Sequence, residues 1–203
     1  MAARYLAINH PQVKKAYLIG LNGLKEELEL QGISVVGGEE DNGKRMDHIL
    51  FDEIEPEEDI EAVVAALDYD LNYYKIAYAS VLLQKGAVFV ATNPDACIKG
   101  KKYKMPGGGM VARALEYATG KVPYIVGKPN PVVIDIAKQT FGLDPKRCLM
   151  IGDRLDTDIL VGQNAGIDTF AVLTGVSSEQ DILNEASKKN GIRPTYYWDR
   201  VEI

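Results

Sequence analysis

The sequence predicts an α/β fold, with a parallel, doubly wound sheet in its second half. Two observations support this class. Short apolar runs, typical of buried strands, alternate along the chain with segments whose apolar residues recur at helical spacing. Glycines follow many of these segments, for example Gly32, Gly142 and Gly166, where they favour helix ends. This alternation is the sequence pattern of strands connected by covering helices.

The first half begins with an amphipathic segment, residues 1–15, that predicts a short helix. Four apolar runs then predict strands at 16–19, 34–36, 61–67 and 87–91. Helical spacing predicts helices from Leu21 to about Gly32 and over 73–84 and 110–118. The remaining stretches, 37–58 and 93–109, are rich in Gly and charged residues and predict loops.

The second half predicts strands at 122–126, 148–151, 169–173 and 195–197. Asn130 as N-cap and Pro131 at the first helical position favour a helix start. A second helix is expected over 156–165, and Ser177 with Gln180 predicts a capping box for a third that reaches about Lys189. Four strands with three intervening helices imply a doubly wound parallel sheet, which binds ligands beyond its strand C-termini.

The charge, apolar runs and cysteines of the chain argue against several classes of protein. The 203 residues carry a formal charge of −6, which argues against a general nucleic-acid binder. No apolar run is long enough to span a membrane, and the N-terminus lacks the apolar core and cleavage site of a signal peptide. The two cysteines form no CxxC, and there is no disulfide framework. These features predict a cytoplasmic protein without nucleic-acid or membrane partners.

Two clusters lie where the fold places ligands. Lys128, after the strand 122–126, can hold a phosphoryl group by charge. Asp153, directly after the strand 148–151, is a candidate Mg²⁺ ligand, and Asp158 in the next turn can orient a neighbour. Each cluster alone also fits a plain turn or a helix cap. Their order on adjacent strand–helix units favours a shared site.

These residues lie in motifs that resemble the haloacid dehalogenase superfamily of phosphatases. GKPNP, MIGDRLDTDI and NAGI with the later VLTGVS carry the resemblance in the second half. AARYL, YLIGLNGLKEELELQGI, ALDYDLNYYKIAYA, VFVATNPDA and MPGGG resemble the cap region of the branch that contains 4-nitrophenylphosphatases, phosphoglycolate phosphatases and pyridoxal phosphatases. The resemblance implies a Rossmann-like half-core plus an α/β cap domain and a phosphatase that uses Mg²⁺.

The resemblance also implies domain limits and residue roles. Residues 1–15 would be a remnant core helix, 16–121 the cap, and 122–203 the C-terminal part of the core. The active-site lysine would be Lys128, the metal ligand Asp153 and the supporting acid Asp158, so that Lys128 and Asp158 are the candidate catalytic residues.

The cap loop that starts at Asn93 and Asp95 would select the leaving group of a small phosphorylated metabolite, with Lys128 completing the substrate contacts. The four lysines of this loop, Lys99, Lys101, Lys102 and Lys104, favour either an acidic leaving group or simply solvation. The loop has no histidine, which argues against pyridoxal phosphate. Relatives often dimerise through the cap, so a homodimer is a further expectation from resemblance.

The family's nucleophile lies in a DxDx[TV] motif, whose first aspartate attacks phosphorus and whose second is the general acid and base. The DxD that follows the apolar run 63–67 is Asp68-Tyr69-Asp70, in a stretch that resembles a cap segment instead. We therefore expect the chain alone, as a truncated relative, not to hydrolyse phosphate esters. Loss of a nucleophile costs on the order of a millionfold in rate.

The leading hypothesis is thus a Mg²⁺-dependent phosphomonoesterase of the phosphoglycolate or 4-nitrophenyl phosphate type. The alternative is a non-catalytic binding or dimerisation module derived from the same fold. A nucleotide-binding oxidoreductase would rest on Gly20-Leu-Asn-Gly23, which lacks the third glycine of GxGxxG. A serine hydrolase is disfavoured because the chain has no GxSxG.

Overall fold

A computed structural model describes residues 1–46 and 54–201. Part of the predicted loop 37–58, including His48, therefore lies outside the described residues. The chain divides into two compact units, Met1–Val126 and Gly127–Ile203. Each contains a parallel sheet with flanking helices, which confirms the α/β class.

The N-terminal unit is built around a five-stranded parallel sheet. Its described residues form seven strands, five in this sheet and two in a separate hairpin. They are β1 (Lys15–Ile19), β2 (Ser34–Gly37), β3 (Ala62–Ala65), β4 (Val88–Ala91), β5 (Cys97–Lys99), β6 (Lys104–Pro106) and β7 (Tyr124–Ile125). Its helices are α1 (Ala2–Asn9), α2 (Asn22–Glu29), α3 (Tyr73–Gln84) and α4 (Gly109–Thr119), with a 3₁₀ turn at Gly38–Asp41. The sheet order is β2-β1-β3-β4-β7, and β5 pairs only with β6.

The core of this unit lies between the sheet and the helices α3 and α4. All four residues of β3 are buried, as expected for a central strand of a parallel sheet covered on both faces. Leu82 and Leu83 of α3 and Leu115 of α4 pack into the same apolar cluster. Apolar residues at helical spacing therefore bury against an apolar strand, as the sequence predicts.

The structure differs from the sequence prediction at two places in this unit. The stretch predicted as the loop 93–109 contains the antiparallel hairpin β5–β6, closed where the Gly100 amide donates to the Tyr103 carbonyl at 3.0 Å. The strand expected at 122–126 forms as β7, but it pairs with β4 rather than with the strands of the second half.

The C-terminal unit is smaller, with a parallel sheet of three strands. Its elements are α5 (Val132–Phe141), β8 (Leu149–Gly152), a π-helical turn (Leu155–Ile159), α6 (Leu160–Asn164), β9 (Asp168–Val172), α7 (Glu179–Ala186) and β10 (Tyr196–Trp198), with a 3₁₀ turn at Pro145–Arg147. The order is β10-β9-β8. Three strands rather than four form this sheet, because β7 belongs to the other one.

Helices α5 and α7 begin with the types of cap that the sequence predicts. The Asn130 side chain accepts from the Val132 amide at 3.0 Å and so caps α5 as predicted. The capping box of α7, however, uses Ser178 and Asp181, one residue later than the predicted pair Ser177 and Gln180. The predicted register was wrong because two adjacent serines precede the helix, and a three-residue spacing from each ends on a residue that can close the box.

Candidate functional site

The candidate site of the C-terminal unit begins where β8 ends. Gly152 is the last residue of this strand, and a Cβ at its position would collide with the side chain of Asp158. Glycine is therefore required for Asp158 to approach the strand end. Asp153 follows at the carboxyl edge of the sheet, which is where a doubly wound fold binds ligands.

Asp158 is a buried carboxylate with two partners. Its Oδ1 accepts a hydrogen bond from Lys128 Nζ at 2.5 Å, and its Oδ2 accepts from the Arg154 amide at 3.2 Å. The π-helical turn aims it, because the amides of Asp158 and Ile159 both donate to the Arg154 carbonyl. The sequence predicted a regular helix here, and the wider turn is the difference.

Lys128 reaches this carboxylate from the loop after β7. Its side chain is 47% exposed, whereas that of Asp158 is only 7% exposed. An ammonium group has three donor hydrogens, and Asp158 is its one protein acceptor among the described residues. The charge of Lys128 is therefore held in place on one side and remains accessible to an anion on the other.

Asp153 is held by a different loop. Its Oδ2 accepts from the Val176 amide at 2.8 Å, and its carbonyl accepts from the Ser177 amide at 2.9 Å. A Cβ at Gly175 would collide with the Asp153 carboxylate, so this loop passes close to it. Ser177 Oγ also accepts from the Leu155 amide at 3.1 Å, which ties the loop to the π-helical turn.

Two features of this site were not predicted from the sequence. The VLTGVS motif predicts no role for the backbone amides of Val176 and Ser177, yet both donate to Asp153. Arg154 forms a two-point ion pair with Asp156, at 3.0 and 2.8 Å, and its hydrogen bonds lower the pKa of the Asp156 carboxyl. Asp156 is exposed and Asp158 is buried, so the inward carboxylate is the one predicted from the sequence.

The described residues fit part of a magnesium site. Mg²⁺ in phosphoryl-transfer sites takes one or two protein carboxylates, with water and substrate oxygens as its other ligands. Asp153 uses one carboxylate oxygen for Val176 and has no described donor on the other. Over residues 1–46 and 54–201, no three His, Cys, Asp or Glu side chains gather around a common point. These residues thus offer Asp153 as a ligand and no complete protein cage.

The residues predicted to contact the leaving group lie in the N-terminal unit. Asn93 Oδ1 accepts from the Asp95 amide at 3.0 Å, which closes a tight turn after β4. The Asp95 carbonyl in turn accepts from the Gly109 amide at 3.0 Å. The structure therefore gives Asn93 and Asp95 a local role in shaping the base of the hairpin β5–β6. It brings Lys128 and Asp158 together in the other unit.

The hairpin β5–β6 displays the four predicted lysines. Lys99 and Lys104 are directly paired across the two strands, and Lys101 and Lys102 lie in the turn between them. All four are exposed, and none has an acidic partner among the residues that the structure describes. Because no acidic side chain offsets these lysines, the hairpin carries uncompensated positive charge. Lys99 and Lys104 lie directly opposite each other, an arrangement of like charges that is unfavourable.

The DxD stretch proves to be structural. Asp68 is buried and accepts from Lys75 Nζ at 2.7 Å and from the Asp70 amide at 2.8 Å. Lys75 is itself fully buried, and it also donates to Asn42 Oδ1 at 2.6 Å. A carboxylate enclosed in this way has no access to a phosphate ester, which agrees with its interpretation as a cap segment.

Comparison with known proteins identifies relatives of both units of the chain. A model of the HAD-hydrolase-like family matches residues 125–202, which include Lys128, Asp153 and Asp158. Phosphoglycolate phosphatase 2 of Arabidopsis thaliana is 41% identical over 204 residues, which cover 98% of this chain and 67% of that protein. None of the helices in the described parts of the chain is long and apolar enough to cross a membrane.

Solved structures of phosphatases superpose on nearly the whole chain. The p-nitrophenyl phosphatase of Archaeoglobus fulgidus superposes with a TM-score of 0.77 at 30% identity, over 97% of this chain and 68% of that one. A glycerol phosphate phosphatase of Mycobacterium tuberculosis, solved in complex with magnesium, gives 0.78 at 28% identity, over 97% and 53%. The chain thus spans between roughly half and two thirds of these proteins. It belongs to the haloacid dehalogenase-like hydrolase family.

Proposed function

We propose that this chain forms the cap and the metal-binding half of the core of a Mg²⁺-dependent phosphomonoesterase. The observation that carries the proposal is the pair of Lys128 and Asp158, in which a buried carboxylate holds a half-exposed ammonium next to the strand end that bears Asp153. An anion-binding lysine must remain open to solvent, and Lys128 does so beside the strand end where the fold binds ligands.

In this proposal each residue has a separate task. Lys128 binds a phosphoryl oxygen, and Asp158 positions Lys128 through its 2.5 Å hydrogen bond. Asp153 contributes one carboxylate oxygen to Mg²⁺, and the Val176 amide fixes the orientation of that carboxylate. When bound, the metal neutralises charge on the transferred phosphoryl group, which is the main requirement of this chemistry.

We infer that the aspartyl nucleophile is not among these 203 residues. No DxDx[TV] pattern occurs in the sequence, and Asp68 of the DxD that follows β3 is buried against Lys75. The chain alone is therefore expected to bind phosphate without turning over 4-nitrophenyl phosphate, and the complete reaction needs a segment that supplies the attacking carboxylate. Magnesium-dependent turnover by the purified chain would contradict this inference.

The proposed substrate is a small phosphorylated metabolite. Relatives carry the names phosphoglycolate phosphatase and p-nitrophenyl phosphatase, and both named substrates are small phosphate esters. The uncompensated lysines of the hairpin β5–β6 favour an acidic leaving group among such esters. A homodimer formed through the cap remains part of the proposal on resemblance alone.

The test is binding of inorganic phosphate to the chain, measured by isothermal titration calorimetry with and without MgCl₂. Lys128→Met and Asp158→Asn should weaken binding, and Asp153→Asn should remove its dependence on magnesium. Lys138→Met is the matched control, because Lys138 pairs with Asp135 within α5 of the same unit. Equal effects of Lys128→Met and Lys138→Met would show that the phosphate binds elsewhere.

A further inference from the structure

The C-terminal unit has a concave surface that is not lined by Lys128, Asp153 or Asp158. It is an open cleft of about 400 Å³ between α7 and the segments that follow β8 and β9. We call it the α7 cleft and define it by Leu155, Ser177, Asp181, Asn184, Lys188 and Ile192. A volume of this size lies at the small end of the range for ligand sites, so the α7 cleft suits a small molecule.

The base of the α7 cleft is apolar. Leu155 is 6% exposed and belongs to the cluster that contains Ile182 of α7, and Ile192 packs against the same cluster. The Leu155 amide donates to Ser177 Oγ at 3.1 Å, so the base is tied to the loop after β9. An apolar base with a few polar groups around it is the usual construction of a small-molecule site.

Asp181, Asn184 and Lys188 provide polar groups along one wall. Asp181 and Asn184 are three residues apart in α7 and Lys188 follows just after its end, so all three lie on one side of the helix. Asp181 Oδ2 accepts from the Ser178 amide and hydroxyl at 2.8 and 2.7 Å, and its Oδ1 has no donor among the residues that the structure describes. Asn184 Oδ1 accepts from Gln180 Nε2 at 3.1 Å, and its Nδ2 has no acceptor in the described parts of the chain.

The two ends of this wall carry opposite charges. Hydrogen bonds from the Ser178 hydroxyl and amide lower the pKa of the Asp181 carboxyl, which is therefore ionised at neutral pH. Lys188 is 62% exposed and donates to Glu185, which leaves two of its three ammonium hydrogens without a described acceptor. The wall thus presents a carboxylate oxygen at one end, and an amide N–H and an ammonium group towards the other.

A short zwitterion matches this order of groups. Asp181 can accept from an ammonium group, and Asn184 and Lys188 can donate to a carboxylate. Three residues of α-helix separate Asp181 from Asn184 by about 4.5 Å along the helix axis. The two charges of the ligand must therefore lie close together, as they do in an α-amino acid, where a single carbon separates them.

We propose that the α7 cleft binds a small α-amino acid, with its ammonium group at Asp181, its carboxylate at Asn184 and Lys188, and an apolar side chain over Leu155. A phosphate ester fits less well, because the ionised Asp181 would face its negative charge. An amine without a carboxylate would leave Asn184 and Lys188 unmatched. The inference goes beyond the proposed function and does not depend on the phosphoryl chemistry of Lys128.

The experiment titrates the full ¹⁵N-labelled chain with L-valine and follows the backbone amides by NMR. The amides of Ser177 and Asn184 should shift and saturate as expected for one site. Isovalerate lacks the ammonium group of valine, and isobutylamine lacks its carboxylate. Each should bind at least about tenfold more weakly, because it loses one of the two charge-assisted contacts. An analogue that binds as tightly as L-valine would contradict the proposal.

Variants of the same wall locate the ligand. Lys188→Met and Asp181→Asn should each weaken the binding of L-valine at least about tenfold. Asp181→Asn keeps an oxygen that can accept from the Ser178 amide, so α7 should remain capped. The matched control is Lys189→Met, since Lys189 is also exposed but does not line the α7 cleft.

Three further results would each overturn the proposal: no saturable shift with L-valine, equal effects of Lys188→Met and Lys189→Met, or displacement of L-valine by inorganic phosphate. Lys128→Met should bind L-valine with unchanged affinity while it loses affinity for phosphate. Failure of this inference is therefore distinguishable from failure of the proposed function.

Discussion

The buried pair of Lys75 and Asp68 allows a quantitative test of the structure. Both side chains are essentially inaccessible, at 0% and 2% exposure, and their charged atoms lie 2.7 Å apart. Lys75→Met keeps the apolar stem but removes the charge. Asp68 would then retain only the Asp70 amide as donor, at 2.8 Å, and would carry an uncompensated buried charge. Removing one partner of such a pair costs about 3–5 kcal/mol of unfolding free energy.

The measurement is urea unfolding, with hydrogen exchange to locate the effect in β3 and α3. The control is Arg113→Met, which breaks an exposed ion pair with Glu116 on the same unit and should cost no more than about 1 kcal/mol. Trp198 fluorescence reports the C-terminal unit separately and shows whether the change is confined to the N-terminal one.

A double variant separates the charge from the packing. Asp68→Asn alone leaves the Lys75 ammonium uncompensated, and the double variant leaves neither charge unpaired. The double variant should therefore lose clearly less unfolding free energy than the sum of the two single variants. A loss under about 1 kcal/mol for Lys75→Met, or strict additivity, would refute the argument that this pair is buried and coupled.

Three further predictions follow from single contacts. Gly152→Ala should displace Asp158 and reduce phosphate binding by calorimetry while near-native circular dichroism remains, and unchanged binding would contradict the crowding at that strand end. Burial and then the hydrogen bond to Asp41 raise the pKa of Tyr17, so the unfolding free energy should be steady below about pH 10 and fall above it, where only the unfolded tyrosine ionises. Tyr17→Phe should fall less steeply over that range, and parallel curves would refute the assignment. Asp181→Ala should remove the capping box of α7 at a cost of about 1 kcal/mol in urea unfolding, whereas Gln180→Ala should cost much less.

Strands and long helices were predictable because buried apolar runs and helical spacing leave a direct trace in the sequence. α3 occupies 73–84, as its pattern indicates. The hairpin β5–β6 was missed because strands of three exposed residues have no apolar face to show. The pairing of β7 with β4 was missed because two adjacent residues cannot specify which sheet they join.

The position of the candidate site was predictable because the apolar runs that mark strands also mark where the strands end. Lys128 and Asp153 lie just after predicted strands, and a strand end marks the ligand edge of a parallel sheet. The role of the Val176 amide was not predictable, because a backbone donor has no residue type to reveal it. Asp158 was named as the orienting acid, but the π-helical turn that directs it inward was not, because the spacing there fits a regular helix equally well.

Lysine–aspartate pairs in this chain differ in burial, and burial limits what each lysine can contact. Lys75 and Asp68 are both enclosed, so their charges interact only with each other and with neighbouring polar groups. Lys128 is equally close to Asp158, yet it is 47% exposed and can contact a third group. Lys44 on the buried Asp41 is just as open, at 48%, so exposure alone does not mark a binding site. The proposal for Lys128 therefore depends equally on its place at the end of β8, where a parallel sheet binds ligands.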